Sequence, residues 1–151
     1  MCDTFAAAPA CTSGGISIFG KNSDREPDEA QTVVSLPERE YAKGRSLRCT
    51  YIEIPQARST YAVVLSKPFW IWGAEMGVNE KGVVIGNEAL FTKAKPEKTP
   101  GLIGMDLLRL GLERADTAEG AARVIIELVQ RYGQAGPCGY RDKKFQYMNS
   151  Y

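Results

Sequence analysis

The hydrophobic pattern of the chain changes period once, near residue 100, and this change restricts the fold more than any other feature. Before it, short apolar runs stop at prolines or polar turns, as strands do. These runs are "ISIFGKNSD" (16–24), "TVVSL" (32–36), "LRCTYIEI" (47–54) and "TYAVVLS" (60–66), with Pro37, Pro55 and Pro68 at their ends. "FWIWGAEMGVNEKGVVIGNEAL" reads as a strand in which Trp70 and Trp72 alternate, a turn over 79–82, and a further strand from Val83. Residues 2–8 predict a first strand and Gly14 and Gly15 a hairpin bend, so Cys2 and the Lys21 to Asp24 segment should share one end of a hairpin.

After the loop "FTKAKPEKTPG" the apolar positions recur at three- and four-residue steps. Leu102, Met105, Leu108, Leu110 and Leu112 predict a helix over 102–115, amphipathic or largely buried. Asp116 and Glu119 have capping-box spacing and predict a second helix to Tyr132, stopped by Gly133, with Ala121, Val124, Ile125, Leu128 and Val129 as its apolar face. Strands followed by a helix pair predict an α+β layer in which helices cover one face of an antiparallel sheet. "FQYMNSY" begins another strand so near Tyr151 that residues 1–151 are expected to be the N-terminal part of a single domain, truncated within it.

The chain has 151 residues, 44% hydrophobic and 25% charged, enough for one modest core. Nineteen basic and eighteen acidic side chains are scattered, which gives no electrostatic footprint for nucleic acid or an anionic membrane. Neither a secretory leader nor a spanning segment is evident, so the expectation is a cytoplasmic protein without membrane insertion.

No histidine occurs, which excludes Ser/His/Asp triads, Cys/His dyads and His-ligated metals within this chain. The four cysteines form no CxxC pair, so Cys11, Cys49 and Cys138 are expected to be buried or incidental thiols. "SDREPDE" lacks the alternation and central glycine of a calcium loop, and Arg25, Glu26, Asp28 and Glu29 are expected to form a solvated loop. No metal and no cofactor are expected.

Cys2 stands apart because it follows Met1. Removal of Met1 would put a thiol and a free α-amino group on one residue. An α-amine with a pKa of about 7.7 to 8.0 can take the proton of a thiol of about 8.5, the role histidine usually fills.

"MCDTF", "FGKNSDR" with "PDEAQTVV", "CTYIEI", "WIWGAEMGVNEKGVVIGNEA", "LIGMDLLRLGLERA" and "YGQAGPCGY" together resemble, in order, the N-terminal part of secernins and the related bacterial cysteine dipeptidases. The resemblance covers nearly the whole chain and implies an N-terminal-nucleophile (Ntn) hydrolase, an αββα sandwich present here only in part. It implies a cysteine-type dipeptidase that hydrolyses small peptides. Cys2 matches the family nucleophile, with its own α-amine as base.

Asp24 matches the position where the related bile-salt and penicillin V acylases place an aspartate beside the N-terminal residue; an Asx-type turn is the competing use of Asn22, Ser23 and Asp24. Lys21 stands where the acylases have an arginine, which keeps the charge and loses the bidentate fork. Asn87 is the candidate oxyanion donor, with Glu88 and Ala89 as competing equivalents. Lys21, Asn22 and Trp72 are candidates for binding substrate, and core packing competes for Trp70 and Trp72. Asn79 is expected to serve the turn. The alternative functions are a secernin-like interaction protein of regulated secretion without catalysis, a related linear-amide acylase, or a truncated product that never folds alone. The expected partners are a small peptide substrate and either further copies of the chain or a missing C-terminal half over an uncovered sheet face.

Overall fold

The computed structural model describes residues 2–93 and 100–151. Met1, whose removal would free the Cys2 α-amine, and the centre of the "FTKAKPEKTPG" loop lie outside the described residues. β1 (Asp3–Ala7) and β2 (Ile18–Asn22) pair antiparallel, with Asp3 opposite Asn22 and Thr4 opposite Lys21. A 3-10 turn at Pro9–Cys11 and Gly14 and Gly15 (φ 93° and 68°) reverse the chain between them.

β3 (Gln31–Leu36) is followed by the short β4 (Arg39–Glu40), β5 (Ser46–Arg48), β6 (Glu53–Pro55) and β7 (Ser59–Thr60), then by β8 (Val63–Pro68), β9 (Met76–Asn79), β10 (Val84–Gly86) and β11 (Glu88–Leu90). A four-stranded antiparallel sheet runs in the order β10-β9-β8-β3. β4 pairs with β7, β5 with β6, and β11 with β12 (Met148–Ser150).

Alternation divides the two faces of the four-stranded sheet. Val63, Leu65 and Ile85 point to α1 (Gly104–Arg114) and α2 (Ala118–Tyr132) and are buried. Leu107, Leu108, Leu110 and Leu112 are fully buried around α1, each burial worth on the order of 2 kcal/mol. On α2, Ala121, Ile125 and Leu128 are buried, with Val124 and Val129 partly buried against them, the face expected from the spacing. The opposite sheet face carries Val33 (75% exposed), Val64, Val78 and Val84, open and apolar. The fold is thus α+β, with both helices on one side of an antiparallel sheet. No helix among the described residues is long and apolar enough to cross a membrane.

Local expectations fail where tertiary partners decide. "LRCTYIEI" is not one strand: Cys49 N–H donates to the Ile52 carbonyl at 2.9 Å, closing a turn between β5 and β6. Trp70 and Trp72 do not alternate on a strand. β8 ends at Pro68, Ile71 N–H bonds back to the Pro68 carbonyl, and β9 begins only at Met76. The run from Val83 breaks at Asn87, after which β11 leaves the four-stranded sheet to pair with β12. Thr117, not Asp116, caps α2, its Oγ1 accepting from Gly120 N–H at 3.1 Å, while Glu119 pairs with Arg123. Gly133 at φ 69° ends that helix as expected. Asn79 is a buried turn residue. Its side-chain oxygen accepts from Lys81 and Val83 N–H, and its amide donates to the Leu112 and Ala115 carbonyls, tying the turn to the end of α1.

Candidate active site

Opposed residues of an antiparallel pair share a face, so Thr4 and Lys21 face one way and Phe5 and Gly20 the other. Phe5 covers Gly20 so closely that a Cβ there would meet its ring. Cys2 and Ser23 lie one residue beyond the Asp3/Asn22 pair, and alternation puts Cys2 on the Lys21 face. The expected hairpin end is therefore present, with half-buried Cys2 beside the segment that begins at Lys21.

Lys21 turns inward over β10. Its side chain is 0% exposed and reaches past Gly86 to within 3.9 Å of Glu88 Oε1. Neither Nζ nor that carboxylate oxygen has a hydrogen-bond partner among the described residues. Asn87, between Gly86 and Glu88, is buried and turns the other way: its Nδ2 donates to Asn149 Oδ1 at 2.6 Å, and its N–H donates to the Glu75 carbonyl at 3.1 Å. Among the competing positions, the structure brings Glu88 to Lys21 and carries Asn87 toward Asn149. Asn22 and Asp24 are exposed at the end of the hairpin. Trp72 packs against the main core under the Arg109 guanidinium, 4.0 Å from the ring centre, and its backbone N–H donates to Thr50 Oγ1. These contacts give it a packing use.

The segment after Asp24 is a solvated loop at Asp28, which is exposed, but not at Arg25 and Glu29, whose side chains are buried. Arg25 forms a bidentate pair with Glu29, Nε to Oε2 at 3.0 Å and Nη2 to Oε1 at 2.6 Å, and the two side chains are only 9% and 0% exposed. Arg25 also donates to the Cys138 carbonyl at 2.8 Å and the Tyr147 hydroxyl at 3.2 Å, and Nη1 lies 3.2 Å from Glu75 Oε1. Trp70 Nε1 donates to Glu29 Oε1 at 2.6 Å. Glu26 accepts from Arg141 N–H, and Asp28 pairs with the Arg141 guanidinium. A buried fork needs this many acceptors to offset its desolvation. Burial alone would lower the Arg25 pKa, but the Glu29 hydrogen bond and the Glu75 charge outweigh it and hold the guanidinium above its ordinary range.

Tyr147 closes this cluster, accepting from Arg25 and donating to Met105 Sδ at 3.8 Å. Burial, then the neighbouring Cys138, raises its phenol above the usual tyrosine range. Phe145 and Phe91 lie against Tyr147, with ring centres 5.4 and 6.2 Å away, forming an aromatic wall beside it. A cavity of about 360 Å³ opens between the hairpin, β10, β11 and α2, lined by Thr4, Phe19, Gly86, Glu88, Ile125 and Tyr151 among others.

Cys49 and Cys138 are buried, and burial pushes the Cys49 thiol up to about 12, so neither is a reactive thiolate; Cys11 is exposed. Reasoning from sequence missed Arg25, Glu29, Glu75 and Tyr147. One signal was available: Glu75 is a lone acid inside the apolar run "FWIWGAEMGV", where a charge must find a cationic partner.

The family model described as acyl-coenzyme A:6-aminopenicillanic acid acyl-transferase matches residues 11–137, which include Lys21, Asn22, Asp24, Trp72 and Asn87 and begin after Cys2. No solved structure matches the chain.

Proposed function

Because the chain belongs to the acyl-coenzyme A:6-aminopenicillanic acid acyl-transferase family, a family of Ntn-hydrolase-related enzymes, we propose that it is a cysteine-type dipeptidase whose nucleophile is Cys2. The observation that carries this reading is the β1–β2 register, which sets Cys2 at the hairpin end beside the Lys21 to Asp24 segment in a chain without histidine.

With Met1 removed, the Cys2 α-amine takes the thiol proton and the sulfur attacks the scissile amide carbonyl. Asn87 is the oxyanion donor in this reading, a role that requires its second Nδ2 hydrogen, the one not bonded to Asn149 Oδ1, to reach the tetrahedral intermediate. The intermediate collapses as the N-terminal ammonium returns the proton to the leaving amine, which leaves a thioester on Cys2. Water, deprotonated by the same amine, hydrolyses the thioester and frees the thiol and a carboxylic acid. Asp24 orients the amine. If an amine rather than water resolves the thioester, the same steps transfer the acyl group, the reaction named for the family, and this second reading rests on the family match. The substrate is a small peptide and the chemistry needs no cofactor.

We read residues 1–151 as the N-terminal part of one Ntn domain, because the open apolar face of Val33, Val64, Val78 and Val84 is what a two-sheet sandwich covers with its second sheet. Dipeptide turnover by the wild type and by Cys2→Ala tests the function. Turnover that disappears in Cys2→Ala while circular dichroism stays unchanged supports it, and equal turnover by both proteins overturns it.

A further inference from the structure

Glu75 touches two segments that are far apart in sequence. Its backbone carbonyl accepts the Asn87 N–H at 3.1 Å, opposite the point where β10 breaks, and its carboxylate reaches Arg25 Nη1 at 3.2 Å. Arg25 is the residue after Asp24, and the same Nη1 donates to the Tyr147 hydroxyl. The candidate oxyanion donor and the candidate carboxylate thus hang from the two ends of one ion pair.

That pair is a costly way to hold a fold. Both side chains are buried, at 9% and 2% exposure, and Glu75 Oε2 has no hydrogen-bond partner among the described residues. Apolar side chains of similar volume commonly stabilise such a site as well or better. A directional, charged link is suited to fixing relative position, since the guanidinium fork binds Glu29, Glu75, Tyr147 and the Cys138 carbonyl at defined angles.

We infer that Arg25 and Glu75 are positioning residues that lock the Asp24 segment to the Asn87 break and so hold the two sides of the Cys2 site in register. The inference rests on the proposed role of Cys2. Neither residue touches substrate: Glu75 acts through Asn87, and Arg25 through Asp24 and Tyr147.

The test combines amide hydrogen exchange with steady-state turnover of a simple apolar dipeptide by the full chain, in the wild type, Cys2→Ala, Glu75→Gln, Glu75→Asp and Arg25→Lys. Glu75→Gln should speed exchange over residues 23–29, Arg25→Lys should speed exchange at the Asn87 amide, and kcat should fall about tenfold or more with KM within about twofold. Glu75→Asp, which keeps the charge, should recover part of kcat. If Glu75→Gln changes exchange only at its own backbone partners, or leaves kcat at the wild-type value, the positioning role is overturned. Should Glu75→Gln not fold, Arg25→Lys decides by the same two readouts. If Cys2→Ala turns over dipeptide like the wild type, the proposed function has failed, and exchange alone decides the coupling.

Discussion

The ammonium of Lys21 lies 3.9 Å from Glu88 Oε1, and the two side chains differ in exposure, 0% against 28%. An ion pair with one partner sealed and the other reaching solvent is asymmetric to mutation. Removing Glu88 strands a cation that cannot rehydrate, whereas removing Lys21 leaves a carboxylate that can. Glu88→Gln should therefore destabilise the chain by about 2 kcal/mol or more, and Lys21→Met by clearly less, in urea unfolding. Equal losses would mean that the pair is not sealed as described.

Asn87 gives a second prediction. Its Nδ2 is held by Asn149 Oδ1 at 2.6 Å, which fixes the orientation of the amide. Loss of an oxyanion donor costs about a hundredfold or more in kcat, so Asn87→Ala should show a drop of that order with KM little changed. Asn149→Ala should show a smaller drop of the same kind, because it frees the amide without deleting it. Unchanged kcat in Asn87→Ala would assign the oxyanion to another donor.

Asp106 sets a pH dependence. It is fully buried on α1, accepts from Thr50 Oγ1 at 2.6 Å and Thr50 N–H at 3.1 Å, and burial pushes its carboxyl up from 3.8 to about 6 against those hydrogen bonds. An acid with a raised folded-state pKa binds its proton more tightly in the fold, so its contribution is present below about 4 and is lost as the pH rises through about 6. At about 1.4 kcal/mol per pKa unit the effect is on the order of 3 kcal/mol. The stability of the wild type relative to Asp106→Asn should rise as the pH falls from 7 to 4. A difference that does not change with pH would contradict the raised pKa.

The cap of α2 separates two neighbouring residues. Thr117 accepts from Gly120 N–H, so Thr117→Ala should cost about 1 kcal/mol in thermal or urea unfolding, and Asp116→Ala only a few tenths. The reverse order would restore Asp116 as the cap.

The sequence showed what local patterning controls. The hairpin was legible from alternation and two adjacent glycines, and the helix pair from its apolar spacing, because these signals lie within the elements themselves. The turn at Cys49–Ile52 was not legible, since it contains neither glycine nor proline and Thr50 is held by Asp106, 56 positions away. Arg25 and Glu29 read as loop charges because their enclosing partners are distant: Trp70 is 41 positions from Glu29, and Tyr147 is 122 from Arg25. Lys21 and Cys2 were placed near each other by register alone, whereas the opposite directions taken by Asn87 and Glu88 follow a strand break that the run "VVIGNEAL" does not reveal.

In the proposed reaction Cys2 becomes the N-terminal residue and carries the acyl group. This role is tested most directly by the intact mass of the purified chain before and after brief exposure to an activated aminoacyl p-nitrophenyl ester. The expected result is a chain lacking Met1 that gains one acyl group on Cys2, with no gain in Cys2→Ala. Retention of Met1, or the same gain in Cys2→Ala, would contradict it.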